Sequence, residues 1–429
     1  MKDAGINIFM LKKILSTAAL LMVFLFSSIQ LALSSDLNEI KIPASLNPEL
    51  EYLSTLASSD NHGPVNLKLI EKVLDFVVSP KSRSSLYYTD KLFSSPSAYY
   101  EFDINTDLKN ILQYTYNPDI PSFAFMPSSV RLSYWTQVNG QNQDMPKLWT
   151  YISNSECPIV VKGIKHIEIT PDQFTGAYYR YDIDNVLILC KFRGKNLLIS
   201  ISRQKDKSDV GRKGLVLGSD DNWEYLYSGE KGLSMPGLSW VSSYMYDSIG
   251  ISFLYEVDSK KPVIRYGAFK WLRAGWADIN VVKNKHIHNG LARYAKDLKM
   301  ILEHPLLPEA SELAKLFSDL ANLSSEDIRE NVKNYLSALK DRYNGNGLSS
   351  GNNFPKNLNI SEYLNQMTNK QMYAFLVVEQ MKSMIGKNRY LDNKLLVTAQ
   401  VHGSMVQGSR LESDGIGIEP PFHQFNREP

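Results

Sequence analysis

The residues best able to do chemistry are concentrated between Ser202 and Gly290. From Arg203 to Gly214 the chain carries Arg203, Lys205, Lys207, Arg212 and Lys213 against only Asp206 and Asp209. Such cations offer several hydrogen-bond donors, and Gly211 and Gly214 permit close backbone approach, so the segment is a candidate receiver of an anionic group. A solvated loop between strands is the plainer account. Next come Asp220, Asp221 and Glu224, interleaved with Trp223 and Tyr225. The carboxylates suit a hard cation or acid–base work, and the rings suit apolar contact. Neither this segment nor Asp103 to Asp107 has the sixth-position glycine and closing glutamate of an EF-hand.

Read as a strand, Trp240 to Asp247 puts Trp240, Ser242, Tyr244 and Tyr246 on one face. Three aromatics on one face fit stacking on a sugar or lining a cavity for an amphiphile, although core packing produces the same pattern. Trp276 adds a further aromatic platform. His286 and His288 would converge on a strand but diverge on a helix, with no local third ligand. Ser404, preceded by His402, lacks the flanking glycines of a nucleophile elbow. Phosphate loops, dinucleotide fingerprints, HExxH and CxxC are all missing from the sequence. No cofactor and no metal is therefore expected.

These residues need elements to position them. Val65 to Val78 carries a helix-like stripe of Leu67, Leu69, Ile70, Val73 and Leu74, and Tyr99 to Tyr116 reads as a second helix. Ser-, Pro- and Tyr-rich connections are expected as far as about Asn154. From Val160 to Val263 the period becomes two, with strands at Ile164 to Ile169 and Tyr178 to Tyr181. The clearest hairpin joins Val186–Phe192 to Leu197–Ser202 through Arg193 to Asn196, with Ile199 and Ile201 on a buried face and Ser200 and Ser202 on a wet one. Phe269, Leu272, Trp276 and Ile279 recur at helical spacing, which makes Ala268 to Lys285 an amphipathic helix whose Gly275 allows close packing. Three later helices are expected: one through Glu303, one opened by Pro308 and one capped by Ser324 and Asp327. After a Gly/Asn/Ser linker from Arg342 to Pro355, Ile360 to Ile385 supplies one or two more, stopped by Gly386.

The chain begins with Lys12 and Lys13 ahead of an almost uncharged run, Ile14 to Leu33. Ala32 and Ser34 suit cleavage after Ser34, which makes residues 1–34 an export signal, with Met10 as the expected initiator. An uncleaved anchor is the competing reading, since 20 helical residues span about 30 Å. Removal of this segment takes three of the 47 basic and one of the 45 acidic residues, leaving a neutral mature chain. A neutral surface argues against nucleic acid as a partner. An exported protein also permits Cys157 and Cys190 to form a disulfide, worth about 3 to 4 kcal/mol for such a loop. A buried free thiol at Cys190 is the alternative.

The expected fold is α+β: an antiparallel β-sheet core with packed helices and a helical C-terminal portion. Residues 35–290 form the mixed domain, 291–400 the helical region and 401–429 a flexible tail. The expected function is that of an exported, envelope-associated binding protein, periplasmic or secreted, with no stable transmembrane span once the signal is cleaved. Its partner would be a small amphiphile, a glycan or an envelope protein, held by Arg203, Lys205, Arg212, Lys213, Trp223, Trp240, Tyr244 and Trp276. Two alternatives remain open: a glycan- or lipid-directed hydrolase using Asp220, Asp221, Glu224 and a histidine, and a structural or assembly protein of the envelope.

Overall fold

A computed structural model describes residues 37–57, 63–79, 81–82, 85–89, 92–154, 158–171, 176–235, 239–258, 261–345 and 354–390. The expected export signal at 1–34, Cys157, the expected tail at 401–429, His402 and Ser404 lie outside the described residues. In chain order the strands are β1 (Asn38–Lys41), β2 (Ser85–Tyr88), β3 (Ser97–Ile104), β4 (Val130–Val138), β5 (Ile159–Ile169), β6 (Ala177–Tyr178), β7 (Arg180–Phe192) and β8 (Lys195–Gln204). There follow β9 (Arg212–Val216), β10 (Tyr225–Lys231), β11 (Leu233–Met235), β12 (Ser239–Val241), β13 (Ser243–Asp258), β14 (Val263–Trp276) and β15 (Ile279–Asn280). The main sheet has the order β1-β2-β3-β14-β13-β8-β7-β5-β4, with β15 on β14. Only the β1–β2 pair is parallel in this sheet; its other pairs are antiparallel.

The helices are α1 (Asn47–Leu56), α2 (Glu71–Val78), α3 (Leu108–Thr115), α4 (Asn284–Leu302), α5 (Ala310–Ala321), α6 (Ser325–Gly345), α7 (Ile360–Asn365) and α8 (Asn369–Met384). The fold is thus α+β, with helices concentrated toward the C-terminal end. Sequence chemistry sets several boundaries. Ser324 Oγ accepts from Asp327 N at the start of α6, and Thr368 and Gln371 cap each other at the start of α8. Gly386 ends α8 with φ at +67°. Among the described residues no helix is long and apolar enough to cross a membrane.

The β7–β8 hairpin turns on Arg193 and Gly194, both at positive φ, with Phe192 paired to Lys195. That two-residue turn matches the twist of the strands it joins. Its two faces are both covered. Ile199 and Ile201 pack with Leu50, Leu53, Val73 and Val77 of α1 and α2, while Leu198 belongs to a second core shared with the C-terminal helices. Ser200 and Ser202 are half-buried rather than wet. The sheet is therefore the middle of three layers. In the second core Leu187, Leu189, Leu254 and Ile264 of the strands meet Leu298, Phe317, Leu336 and Leu376 of the helices.

The structure corrects four further sequence expectations. Ala268 to Lys285 is not a helix: Val263–Trp276 is strand β14, and α4 starts at Asn284. β14 is covered on both faces, with Phe269 and Trp271 in one core and Tyr266 and Ala268 in the other. A strand buried on both sides loses its polar alternation, which lets apolar spacing mimic a helix. Gly275 does permit close approach, to the backbone: a Cβ there would lie 2.0 Å from Ile279 O, where β15 folds back. Ser97–Ile104 is strand β3 rather than the start of a helix, and α3 is capped by Asp107, which accepts from Asn110 N. The expected connection before Asn154 contains β4. Finally, Arg342 lies in α6, so the expected linker does not begin there.

Candidate functional site

The edge strand β4 and its neighbour β5 shape the main cleft. Their register pairs Trp135 with Lys165 and Tyr134 with His166, which places the two pairs on opposite faces. The register shifts between Trp135 and Gln137, a bulge of the kind that re-aims side chains at a sheet edge. Gly163 makes room for Trp135, because a Cβ there would meet Gln137 O at 2.1 Å and the indole ring at 2.9 Å. Around this edge lies a cleft of about 1200 Å³, counted to its open side and lined by Tyr116, Phe123, Tyr134, Trp135, Met145 and Tyr373. Tyr373 is anchored by its hydroxyl, which donates to Phe317 O of α5 at 3.1 Å.

Two cations line the same cleft. Lys370 Nζ sits 4.1 Å from the Tyr134 ring centre, and Lys165 Nζ 5.3 Å from that of Trp135. Lys165 is half-buried and has no ion-pair partner among the described residues. Burial alone pulls its ammonium down to about 8. Exposed Asp144, at the loop side, is the carboxylate in the lining. A large apolar wall with a few convergent cations is the usual form of a small-molecule pocket.

Behind Tyr134, His166 is held between acids. Its ring lies 5.3 Å from that of Tyr134, with Nδ1 2.8 Å from Asp182 Oδ1 and Nε2 3.7 Å from Glu168 Oε1. Burial lowers the imidazole's proton affinity, but the two carboxylates outweigh it and raise the pKa. Glu168 is buried, which pushes it up, yet His166, Arg131, Arg180 and Gln371 together hold it down to about 2.

The residues singled out from the sequence fall into three places. Arg203 and Lys205 are exposed at the end of β8, and Lys213 is exposed on β9 beside half-buried Arg212. The loop between these strands does meet the aromatic strand: Ser208 Oγ accepts from Met245 N at 2.9 Å, and Lys207 Nζ lies 4.1 Å from the Tyr244 ring centre. Half-buried Trp276 ends β14 opposite Ser243. Trp240 pairs through its backbone with Ser234 in β11–β12, a separate two-stranded sheet, and its side chain lies outside the described part. The expected continuous face from Trp240 to Tyr246 is therefore broken after Val241.

Trp223 is elsewhere and buried, donating from Nε1 to Asp297 Oδ1 at 3.1 Å. Of the three acids, Asp220 pairs with Arg293 and Asp221 with Lys296. Glu224 is buried, accepting from the Tyr343 hydroxyl beside Lys382 Nζ. Asp103 is held by Arg265. His286 accepts from Lys283 N at the start of α4, whereas His288 is buried against Tyr100. Among the described residues no group of three His, Cys, Asp or Glu side chains could hold a metal. Cys190 is buried on β7, and its thiol is pushed up to about 12 by burial.

None of the residues chosen from the sequence lines the Trp135 cleft. A local signal existed: Val130 to Val138 carries β-branched Val130, Thr136 and Val138 with aromatic Tyr134 and Trp135, and Lys165 sits within a largely apolar β5. What convergence they make depends on a fold-level pairing. The class defined by this architecture is an α+β protein with a sheet covered on both faces and an aromatic, cationic cleft at one edge. No protein-family model and no curated protein matches the chain.

Proposed function

We propose that the protein binds a small anionic amphiphile in the cleft at the β4 edge, as an exported, envelope-associated carrier or receptor. The single observation that carries the reading is Lys165, a cation without a carboxylate partner among the described residues, beside Trp135 in a cleft walled by Phe123, Met145 and Tyr373. Such an ammonium is poorly compensated until an anion joins it. The aromatic wall supplies the burial energy for an apolar body, at roughly 25 cal/mol per Å². Export is supported by the Lys12–Leu33 segment of the sequence.

Fluorescence titration with anilinonaphthalene sulfonate, an anionic aromatic amphiphile, tests this, with uncharged Nile red as the comparison. The wild type should bind the sulfonate saturably at one site. Lys165→Met should weaken it on the order of tenfold and leave Nile red within about threefold, while Trp135→Ala should weaken both. Equal binding of the sulfonate by wild type and both variants would exclude this cleft.

A further inference from the structure

A second, narrower cavity lies between β4, β10 and α8, lined by Arg131, Trp223, Tyr227, Tyr335, Gln371 and Phe375. We propose that it is an oxyanion site, in which Arg131 grips a small planar anion of the carboxylate or nitrate type. The side chain of Arg131 is only 4% exposed. Its Nη1 donates to Glu168 Oε2 at 3.3 Å, and its guanidinium lies over the Tyr227 ring at 3.8 Å. Nε and Nη2 are buried and have no hydrogen-bond partner among the described residues.

Those two nitrogens form one edge of the guanidinium, with their N–H bonds parallel. That edge matches two oxygens of a single planar anion. Glu168 is already engaged elsewhere: Gln371 Nε2 donates to its oxygens at 2.9 and 3.1 Å, and Arg180 Nε stands 3.3 Å away. Two dry donors on one cation are costly to leave unmet. The ring of Tyr227 stacked on the guanidinium, with Trp223 and Phe375 also in the wall, favours a flat ligand. This site shares no lining residue with the Lys165 cleft, so either can fail without the other.

The test is thermal melting of the full chain in sodium nitrate, formate and chloride at equal ionic strength. A crystal structure of the wild type grown in nitrate accompanies it. Nitrate and formate should raise the wild-type melting temperature above that in chloride, increasingly with concentration. Arg131→Lys keeps a cation for Glu168 but lacks the parallel donors, and should lose the difference. The crystal should show a planar density bridging Nε and Nη2. Equal melting in the three salts, an undiminished nitrate effect in Arg131→Lys, or a lone water on that edge would each overturn the proposal. Where Arg131→Lys fails to fold, the wild-type crystal decides.

Discussion

At the scale of single residues, Lys165 works against stability. Its charged form is desolvated, so its folded pKa of about 8 lies below the unfolded value near 10.4. 

Between about pH 8 and 10.4 the unfolded chain binds the proton and the folded chain does not, so stability rises with pH across that window; the penalty is fully present below about pH 8. Lys165→Met should therefore melt higher than the wild type at pH 7 while binding the anionic probe less well, the trade expected of a functional group. In the wild type, affinity for the anionic probe should fall as pH rises past about 8, and in Lys165→Met that fall should vanish. A pH-independent wild-type affinity would remove Lys165 from the site.

His166 has the opposite sign. Asp182 and Glu168 raise its folded pKa above the unfolded value near 6.5. Its stabilising contribution is complete below that unfolded value and is lost as pH rises through the raised folded one. The melting temperature of the wild type should thus drop more steeply above neutral pH than that of His166→Asn, as scanning calorimetry at a series of pH values would record. Parallel curves for the two proteins would show that the ion pairs contribute nothing.

At the scale of elements, β14 is the part most easily misread. Trp271 is buried, with Nε1 donating to Thr89 Oγ1 at 2.9 Å and its ring stacked near Phe269. Trp271→Ala should cost about 3 to 5 kcal/mol in urea denaturation, the usual range for removing a large core aromatic. A loss under about 1 kcal/mol would mean that β14 does not sit between the two cores. The β7–β8 hairpin was legible because its turn is local: Arg193-Gly194 and the alternating runs beside it are all within one window of sequence. β14 was not, because β3 and β13 take both of its edges and the two cores cover both of its faces, which removes the polar alternation of a half-wet strand. The later helices were legible from more local signals: α5 keeps an apolar stripe of Leu313, Phe317 and Leu320, and α7 and α8 carry their own capping residues, Asn359 and the Thr368–Gln371 pair.

At the scale of the whole molecule, two covered sheet faces leave the sheet's edge as the place where a cleft forms. The cleft draws Tyr116 from beyond α3, Trp135 from β4, Lys165 from β5 and Lys370 from α8. No window of sequence holds more than two of these, so the convergence could not be read before the pairing was known. The basic loop at Arg203 to Gly214 was conspicuous for the opposite reason: its charges are contiguous, and most of them face solvent.

The most direct measurement is a crystal structure of the protein with dodecanoate. The carboxylate should lie within hydrogen-bonding reach of Lys165 Nζ, with the chain against Trp135 and Phe123. Dodecanoate bound elsewhere, or a cleft holding only solvent at saturating ligand, would contradict the account.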